Sequence, residues 1–211
     1  MELIFFRHGA TDGNREHRYI GSTDEPLSVE CRELLKKNGT RERIQGLIST
    51  GISAIYTSPM ERCRETAELL FPKERYPNLL RQEIPDFREC EFGEFEGKTY
   101  KELLGHPAYQ EFLRTGKIEE FPGGEAVAAF KERTKQAFLK LSGEFSSAEP
   151  CSAVFVVHGG TIMTLFEAYA EPAKGYYDWQ LKNLEGYRSV LSREPLRLTN
   201  VARTGEWWYN P

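Results

Sequence analysis

Two unbroken apolar runs, each handing over to a histidine and a glycine, constrain this chain more than any other feature. Leu3-Ile4-Phe5-Phe6 leads into Arg7-His8-Gly9, and Ala153-Val154-Phe155-Val156-Val157 leads into His158-Gly159-Gly160-Thr161. A short run without polar alternation has no face to give to water. It therefore predicts a strand buried on both sides, as in a parallel sheet covered by helices. Residues that follow such strands collect at the carboxyl edge of the sheet, where open α/β sheets bind ligands. Glycine there lets the backbone approach a ligand closely. If the two strands are neighbours, two imidazoles face each other across a gap the size of a phosphate.

Between these runs, helix and strand signals alternate. Ser28 predicts a capped helix over Val29 to Lys37, ended by Asn38-Gly39. A second helical stretch is expected from Thr40 through Leu47-Ile48 to Gly51. Ser53 to Thr57 predicts a strand, after which Ser58 is expected to cap a helix with Pro59 in its first turn. Ile84 to Phe87 predicts a further short strand. From Cys90 to about Gly124 the chain is rich in glycine around short helical pieces, the pattern of an insertion lying over one end of the sheet. Helices are expected over Glu125 to Phe145 and Ile162 to Tyr169, and a final strand pair over Tyr187 to Leu191 and Leu196 to Val201. The expected fold is a three-layer α/β/α sandwich with a mostly parallel central sheet. Residues 1–211 are expected to form a single domain, with the cap-like insertion at about 90–124.

Charge excludes some functions. A formal net charge of −4 argues against nucleic acid as a partner. It also supplies no long-range field for an anionic substrate, so attraction must come from a local basic pocket. No apolar run approaches the length of a membrane span. Glu2, and the end of the first run at Arg7, argue against a secretory leader. Cys31, Cys63, Cys90 and Cys151 show no short paired spacing, which argues against a zinc site or a redox pair. Free thiols in a reducing cytoplasm are expected, with no metal and no cofactor.

The strand-end residues carry chemistry. Arg7 offers a planar fork that grips two phosphate oxygens. A neutral imidazole at His8 is able to attack phosphorus and carry the phosphoryl group. Thr11 and Asn14 follow within one short loop and are able to hydrogen-bond an oxyanion. His158 precedes a helix whose free amides and positive end favour an anion, and Gly159 opens the backbone there. Arg62 falls in the first turn of a helix that also leaves a strand end, so it is expected to reach the same anion as Arg7. Glu89 lies within Phe87-Arg88-Glu89-Cys90-Glu91-Phe92-Gly93, where burial among aromatic rings raises a carboxyl pKa. Such a group protonates a leaving alkoxide at neutral pH. Glu91, Glu94 and Glu96 compete for that role, and position alone does not separate the four. His17 and His106 lack such settings and are expected in loops or on the surface.

The chain resembles the histidine phosphatase superfamily, the phosphoglycerate-mutase-like fold. The resemblance rests on Arg7-His8-Gly9-Ala10-Thr11 with Asn14, Gly21-Ser22-Thr23-Asp24-Glu25-Pro26-Leu27-Ser28, Tyr56-Thr57-Ser58-Pro59-Met60-Glu61-Arg62, Arg88 to Gly97, Pro122-Gly123-Gly124-Glu125 and Val157 to Thr161. It implies that His8 becomes phosphohistidine and that Arg7, Arg62 and a protonated His158 surround the phosphoryl group. Asn14 is implied as a further contact, and Glu89 as the acid and base; Thr11, Thr23 and Gly159 are expected beside them as phosphate or substrate contacts. The stretch Tyr19 to Ser28 is similar to the α-ribazole phosphatase and broad-specificity phosphatase branch. Three positions depart from the family pattern: Ile20 where a polar residue is frequent, Cys31 where glycine is common, and Ala126 where serine is frequent.

The reaction these residues imply is metal-independent hydrolysis of a phosphomonoester in two steps through phosphohistidine. The expected partner is a small-molecule phosphate ester, with α-ribazole 5′-phosphate a candidate, and a homodimer is compatible with the reading. The aromatic residues Phe92, Phe95, Tyr109 and Phe112, with Tyr176, Tyr177 and Trp179, are candidates for an apolar wall around the leaving group. A phosphoglycerate mutase-type transfer is the competing enzymatic reading. A phosphate-binding or interaction module without catalysis is the competing reading of another class.

Overall fold

The structure, a computed structural model, describes residues 1–37, 39–46, 51–145 and 152–204. Asn38, the stretch Leu47-Ile48 and Cys151, which figured in the sequence expectations, lie outside these residues.

The chain begins with strand β1 (Glu2–Arg7), in which Leu3 to Phe6 are fully buried. Helices α1 (Asp12–Arg15), α2 (Val29–Lys36) and α3 (Thr40–Gln45) follow. Then come β2 (Ile52–Thr57), α4 (Glu61–Leu70) and β3 (Leu80–Glu83). Two 3₁₀ turns, Pro85–Phe87 and Gly93–Phe95, lead to α5 (Pro107–Thr115) and α6 (Val127–Glu144). Strand β4 (Ser152–Val157), buried at every residue, runs straight into α7 (Gly159–Tyr169). A 3₁₀ turn at Tyr176–Trp179 and the strands β5 (Gly186–Arg193) and β6 (Leu196–Thr204) complete the order. Among the described residues no helix is long and apolar enough to cross a membrane.

The six strands lie in the order β3-β2-β4-β1-β5-β6. The first four are mutually parallel, β5 pairs antiparallel with β1, and β6 pairs antiparallel with β5. Pleating divides each central strand between two cores. Leu3, Phe5, Phe155 and Val157 face α6 and α7, where they meet Phe138, Leu141, Ile162 and Phe166. Ile4, Phe6, Val154 and Val156 face α2 to α4, where they meet Leu35, Ile44, Cys63 and Leu70. This is the three-layer sandwich expected from the uninterrupted apolar runs. The stacked pair Phe5–Phe155, with centroids 4.5 Å apart, ties β1 to β4 across one face. A third cluster of Cys90, Phe95, Leu103, Tyr109, Phe121 and Phe130 gathers the glycine-rich segment over the carboxyl edge of the sheet.

Two local expectations are corrected. The strand beside β2 is Leu80–Glu83, and Ile84 to Phe87 is not a strand. Ile84 makes the last ladder bond, its N–H donating to Thr57 O at 2.8 Å, and Pro85 then lacks the N–H to continue. Ser58 does not cap α4 either. The cap position falls to Met60, which makes no side-chain cap bond, and the Ser58 hydroxyl accepts from Met60 N at 3.3 Å and meets the His158 ring. Ser28 does cap α2, accepting from Cys31 N at 3.2 Å.

Ala126 occupies the N-cap of α6 with extended backbone and no side-chain cap bond. Ala126→Ser offers a hydroxyl to the free amides of that first turn. The substitution is expected to stabilise the fold by about 1 kcal/mol, read as a rise in the urea midpoint with unchanged slope.

Candidate active site

Register places the two histidines side by side. In the parallel β1–β4 pair, Arg7 lies opposite Val157, so His8 and His158 leave adjacent strands at the same level. The His8 amide donates to Val157 O at 2.9 Å, which holds the two exits together. The imidazole centroids are 5.1 Å apart at 67°. From this point the chain departs in opposite directions. After β1 it crosses toward β2 by way of α1 to α3, and after β4 it crosses toward β5 by way of α7. A crevice opens where such crossovers diverge.

The two rings differ in their partners. His8 Nδ1 lies 2.7 Å from Gly9 O. A carbonyl only accepts, so Nδ1 carries the proton and Nε2 keeps its lone pair. Burial, then the charges of Arg62 and Arg7, hold the His8 pKa well below the ordinary imidazole value. His158 is fully buried and shares a 2.7 Å hydrogen bond between Nε2 and Ser58 Oγ. Burial and then Arg62 push its pKa down in the same way.

Both arginines are held by carbonyl oxygens. Arg62 is fully buried, with Nη1 donating to Thr23 O at 2.8 Å and Nη2 to Gly21 O at 2.9 Å. Its Nε has no partner among the described residues. Glu96 fixes those carbonyls from behind, because its Oε1 accepts from the amides of Gly21 at 2.7 Å and Thr23 at 2.9 Å. Arg7 donates from Nη1 to Leu181 O at 2.7 Å. The segment 181–185 clasps the end of β1 further. Arg7 N donates to Glu185 O at 2.9 Å, Leu184 N to Arg7 O at 3.0 Å, and Asn183 Nδ2 to His8 O at 3.0 Å. Leu184 sits at φ 64°, a left-handed conformation that the surrounding bonds must hold in place.

Glu89 separates itself from the three competing glutamates. Its Oε1 accepts from Cys90 N at 3.0 Å and its Oε2 from Gly160 N at 3.1 Å, directly beyond His158. Burial raises its pKa against the opposing pull of these amides and of Arg62 and Arg7. Glu91 and Glu94 are exposed, and Glu96 is committed to the Gly21–Thr23 loop. A cleft of about 670 Å³ opens beside Glu89, lined by Tyr19, Phe92, Phe112, Phe121, Tyr176 and Tyr177 among others. Lys131 and Glu167 pair at 2.5 Å on its wall, with the ammonium 4.1 Å from the Tyr176 ring centroid.

The structure thus brings Arg7, His8, Arg62, Glu89 and His158 together. The remaining expected contacts are differently placed. Asn14 lies beside the cluster, its Oδ1 accepting from Asn183 Nδ2 at 3.0 Å. Thr11 is fully buried as the cap of α1, its hydroxyl accepting from Asn14 N at 3.1 Å. Thr23 has an exposed side chain and contributes its carbonyl to Arg62. Gly159 lies alongside the Arg7 guanidinium. His106 caps α5 and meets Glu94 at 3.0 Å, away from the cluster. Trp179 is buried in the core rather than lining the cleft. Asn183 and Ser58 went unrecognised as site partners in the sequence: Asn183 lies in a loop without a motif, and Ser58 was read as a helix cap. Among the described residues, no three His, Cys, Asp or Glu side chains are grouped as a metal ion requires.

A buried cluster of two guanidiniums and two imidazoles at the mouth of a parallel sheet is a centre for phosphoryl groups. Comparison with known proteins agrees. The model of the histidine phosphatase superfamily (branch 1) matches residues 3–202, and the chain belongs to that superfamily. The phosphoglycerate mutase-like protein 4 of Arabidopsis thaliana is 28% identical over 79% of this chain and 70% of its own length. The adenosylcobalamin/alpha-ribazole phosphatase of Escherichia coli K12 is 26% identical over 78% of this chain and 77% of its own. The crystal structure of a phosphoglycerate mutase from Thermus thermophilus is 28% identical, with a TM-score of 0.67 over 97% of this chain and 99% of that one.

The Gly160 backbone touches the acid directly, and a Cβ built there would lie 2.3 Å from Glu89 Oε1. Gly160→Ala must therefore displace the carboxyl group. An activity loss of about 100-fold is expected from misplacing a reacting group in this way, with the thermal midpoint changed far less. Steady-state rates and thermal melts on one preparation check both halves.

Proposed function

We propose that this protein is a phosphomonoesterase that works through a phosphohistidine on His8, and that its substrates are small phosphate esters of alcohols bearing an aromatic ring. The observation that carries the reading is the 2.7 Å contact between His8 Nδ1 and Gly9 O. The carbonyl favours the proton on Nδ1 and so leaves the Nε2 lone pair available for attack. Neutral His8 Nε2 attacks phosphorus, and the bond from phosphorus to the ester oxygen breaks. Glu89 gives its proton to the departing oxygen. In the second step Glu89 takes a proton from water, whose oxygen displaces His8 and releases phosphate. Arg7 and Arg62 stabilise the nonbridging oxygens, with Asn14 beside them. His158 is neutral in the unliganded pocket, because burial and the arginine charges oppose its protonation. The charge of a bound phosphate dianion reverses that balance, so His158 takes up its proton with the substrate.

The cleft beside Glu89 supports the choice of leaving group. Its aromatic lining suits a flat ring, and α-ribazole 5′-phosphate is one such ester. The segment 90–124, which supplies much of that lining, acts as the cap. A mutase must hold a second anionic group there. The charged residues of the lining are Glu89, Glu119 and Glu167 against Lys117 and Lys131, which gives no cationic surplus and favours hydrolysis.

With p-nitrophenyl phosphate, activity is expected to persist in a chelator and vanish in His8→Ala. Acid-quenched enzyme should carry label from a ³²P ester at one histidine. Full activity in His8→Ala sinks the reading, and net conversion of 3-phosphoglycerate would replace hydrolysis by mutation of the substrate. The pH profile has a sign. His8 must be neutral, and its lowered pKa moves the acid limb below the ordinary histidine range. Glu89 must be protonated in the first step, and its raised pKa lets the rate for alkyl esters survive above the ordinary carboxyl range. A bell-shaped profile of kcat/KM is expected, with its alkaline limb abolished in Glu89→Gln.

A further inference from the structure

We propose that Arg133 is a positioning residue for the acid step, setting the direction of the Glu89 side chain without touching substrate. This rests on the assignment of Glu89 as acid and base. Arg133 lies in the second turn of α6, and its whole guanidinium is spent on the loop that carries Glu89. Nη1 donates to Asp86 O at 2.7 Å and to Arg88 O at 3.0 Å, and Nη2 to Glu89 O at 3.0 Å. Nε and Nη2 also form a two-pronged pair with Glu125, at 2.7 and 2.9 Å. Glu125 in turn is tied to the same loop, its own N–H donating to Glu91 O at 2.9 Å.

Three carbonyls from four consecutive residues converging on one cation fix the loop backbone. With Glu89 O drawn to Arg133, the Glu89 carboxyl group emerges toward Cys90 N and Gly160 N, at the phosphate end of α7. The guanidinium also packs 4.9 Å from the centroid of Phe130, whose ring lies against Gly160. Only a planar fork satisfies these acceptors together; an ammonium group at this position offers a point charge. Because Glu125 balances its charge, Arg133 adds little attraction for the phosphate itself. Its charge also opposes His158 protonation, less than the charge of Arg62 does.

Leaving-group dependence separates this role from a merely structural one. Nitrophenolate departs without a proton, whereas the alkoxide of 2-phenylethyl phosphate needs one. For each variant, kcat/KM for the two esters is measured on the same sample, so any unfolded fraction cancels in the ratio. Arg133→Met is expected to lower kcat/KM for 2-phenylethyl phosphate by about 100-fold, the scale of a misplaced catalytic group, and for p-nitrophenyl phosphate only a few-fold. Arg133→Lys and Glu125→Gln should move the ratio in the same direction by less. In a Glu89→Gln background, Arg133→Met should add little further loss on the alkyl ester. Equal losses on both esters, or a full additional loss in the Glu89→Gln background, would overturn the proposal. A wild-type enzyme inactive on both esters would instead overturn the phosphatase reading.

Discussion

The site depends on how the buried positive charge of Arg62 is held in place. Arg62 is fully buried, yet the partners of its Nη atoms are carbonyl oxygens of the Gly21–Thr23 loop, and Arg7 gives Nη1 to the Leu181 carbonyl. A carboxylate in either position would neutralise the guanidinium and compete with phosphate. A carbonyl dipole orients the group and leaves its formal charge available. Arg133 shows the opposite solution on the far side of the acid loop, where Glu125 pairs it and orientation alone is required. Glu96 then acts at one remove from the phosphate cluster. Its carboxylate grips two amides of the loop whose carbonyls grip Arg62.

The same buried charge fixes the protonation of the imidazoles. Two guanidiniums and nearly complete burial make a further buried cation unfavourable, so His8 and His158 are both driven toward neutrality. A nucleophile needs that state. Glu89 answers to the opposite pressure, since burial opposes its negative form and outweighs the attraction of the arginines. The lowered imidazole pKa values and the raised Glu89 pKa thus share one leading physical cause, the withdrawal of water from the crevice.

How much of this was legible in the sequence depended on the range of the interaction. Strand burial is a local property, and the runs Leu3–Phe6 and Ala153–Val157 announced β1 and β4 directly. Ser28 as a cap was also local, because a hydroxyl three residues before an amide can hardly go elsewhere. Ser58 looked the same and behaved differently. Its hydroxyl accepts from the Met60 amide at 3.3 Å and meets the His158 ring one hundred positions away, while α4 itself begins at Glu61 after Met60. The apolar residues Ile84 and Phe87 predicted a strand, but Pro85 has no N–H for the ladder, and the strand lies earlier, at Leu80–Glu83. The four glutamates from 89 to 96 were inseparable by position. Burial and the Gly160 amide distinguish Glu89, and both depend on α7, far along the chain. Asn183 and Arg133 lie furthest from any local signal, since each acts through backbone atoms of residues distant in sequence.

This division of labour locates where specificity is free to change. The phosphate end is built from β1, β4 and the starts of α4 and α7, elements that also carry the two sheet cores, so changes there disturb folding and chemistry together. The leaving-group cleft is built largely from the segment after Glu89, whose own small cluster of Phe95, Tyr109, Phe121 and Phe130 is distinct from both sheet cores. Glu125 and Arg133 bind its first residues to α6 and therefore form the join between the two parts. On one side of that join stand the two sheet cores and the strand ends they position; on the other, a smaller aromatic cluster packs apart from them.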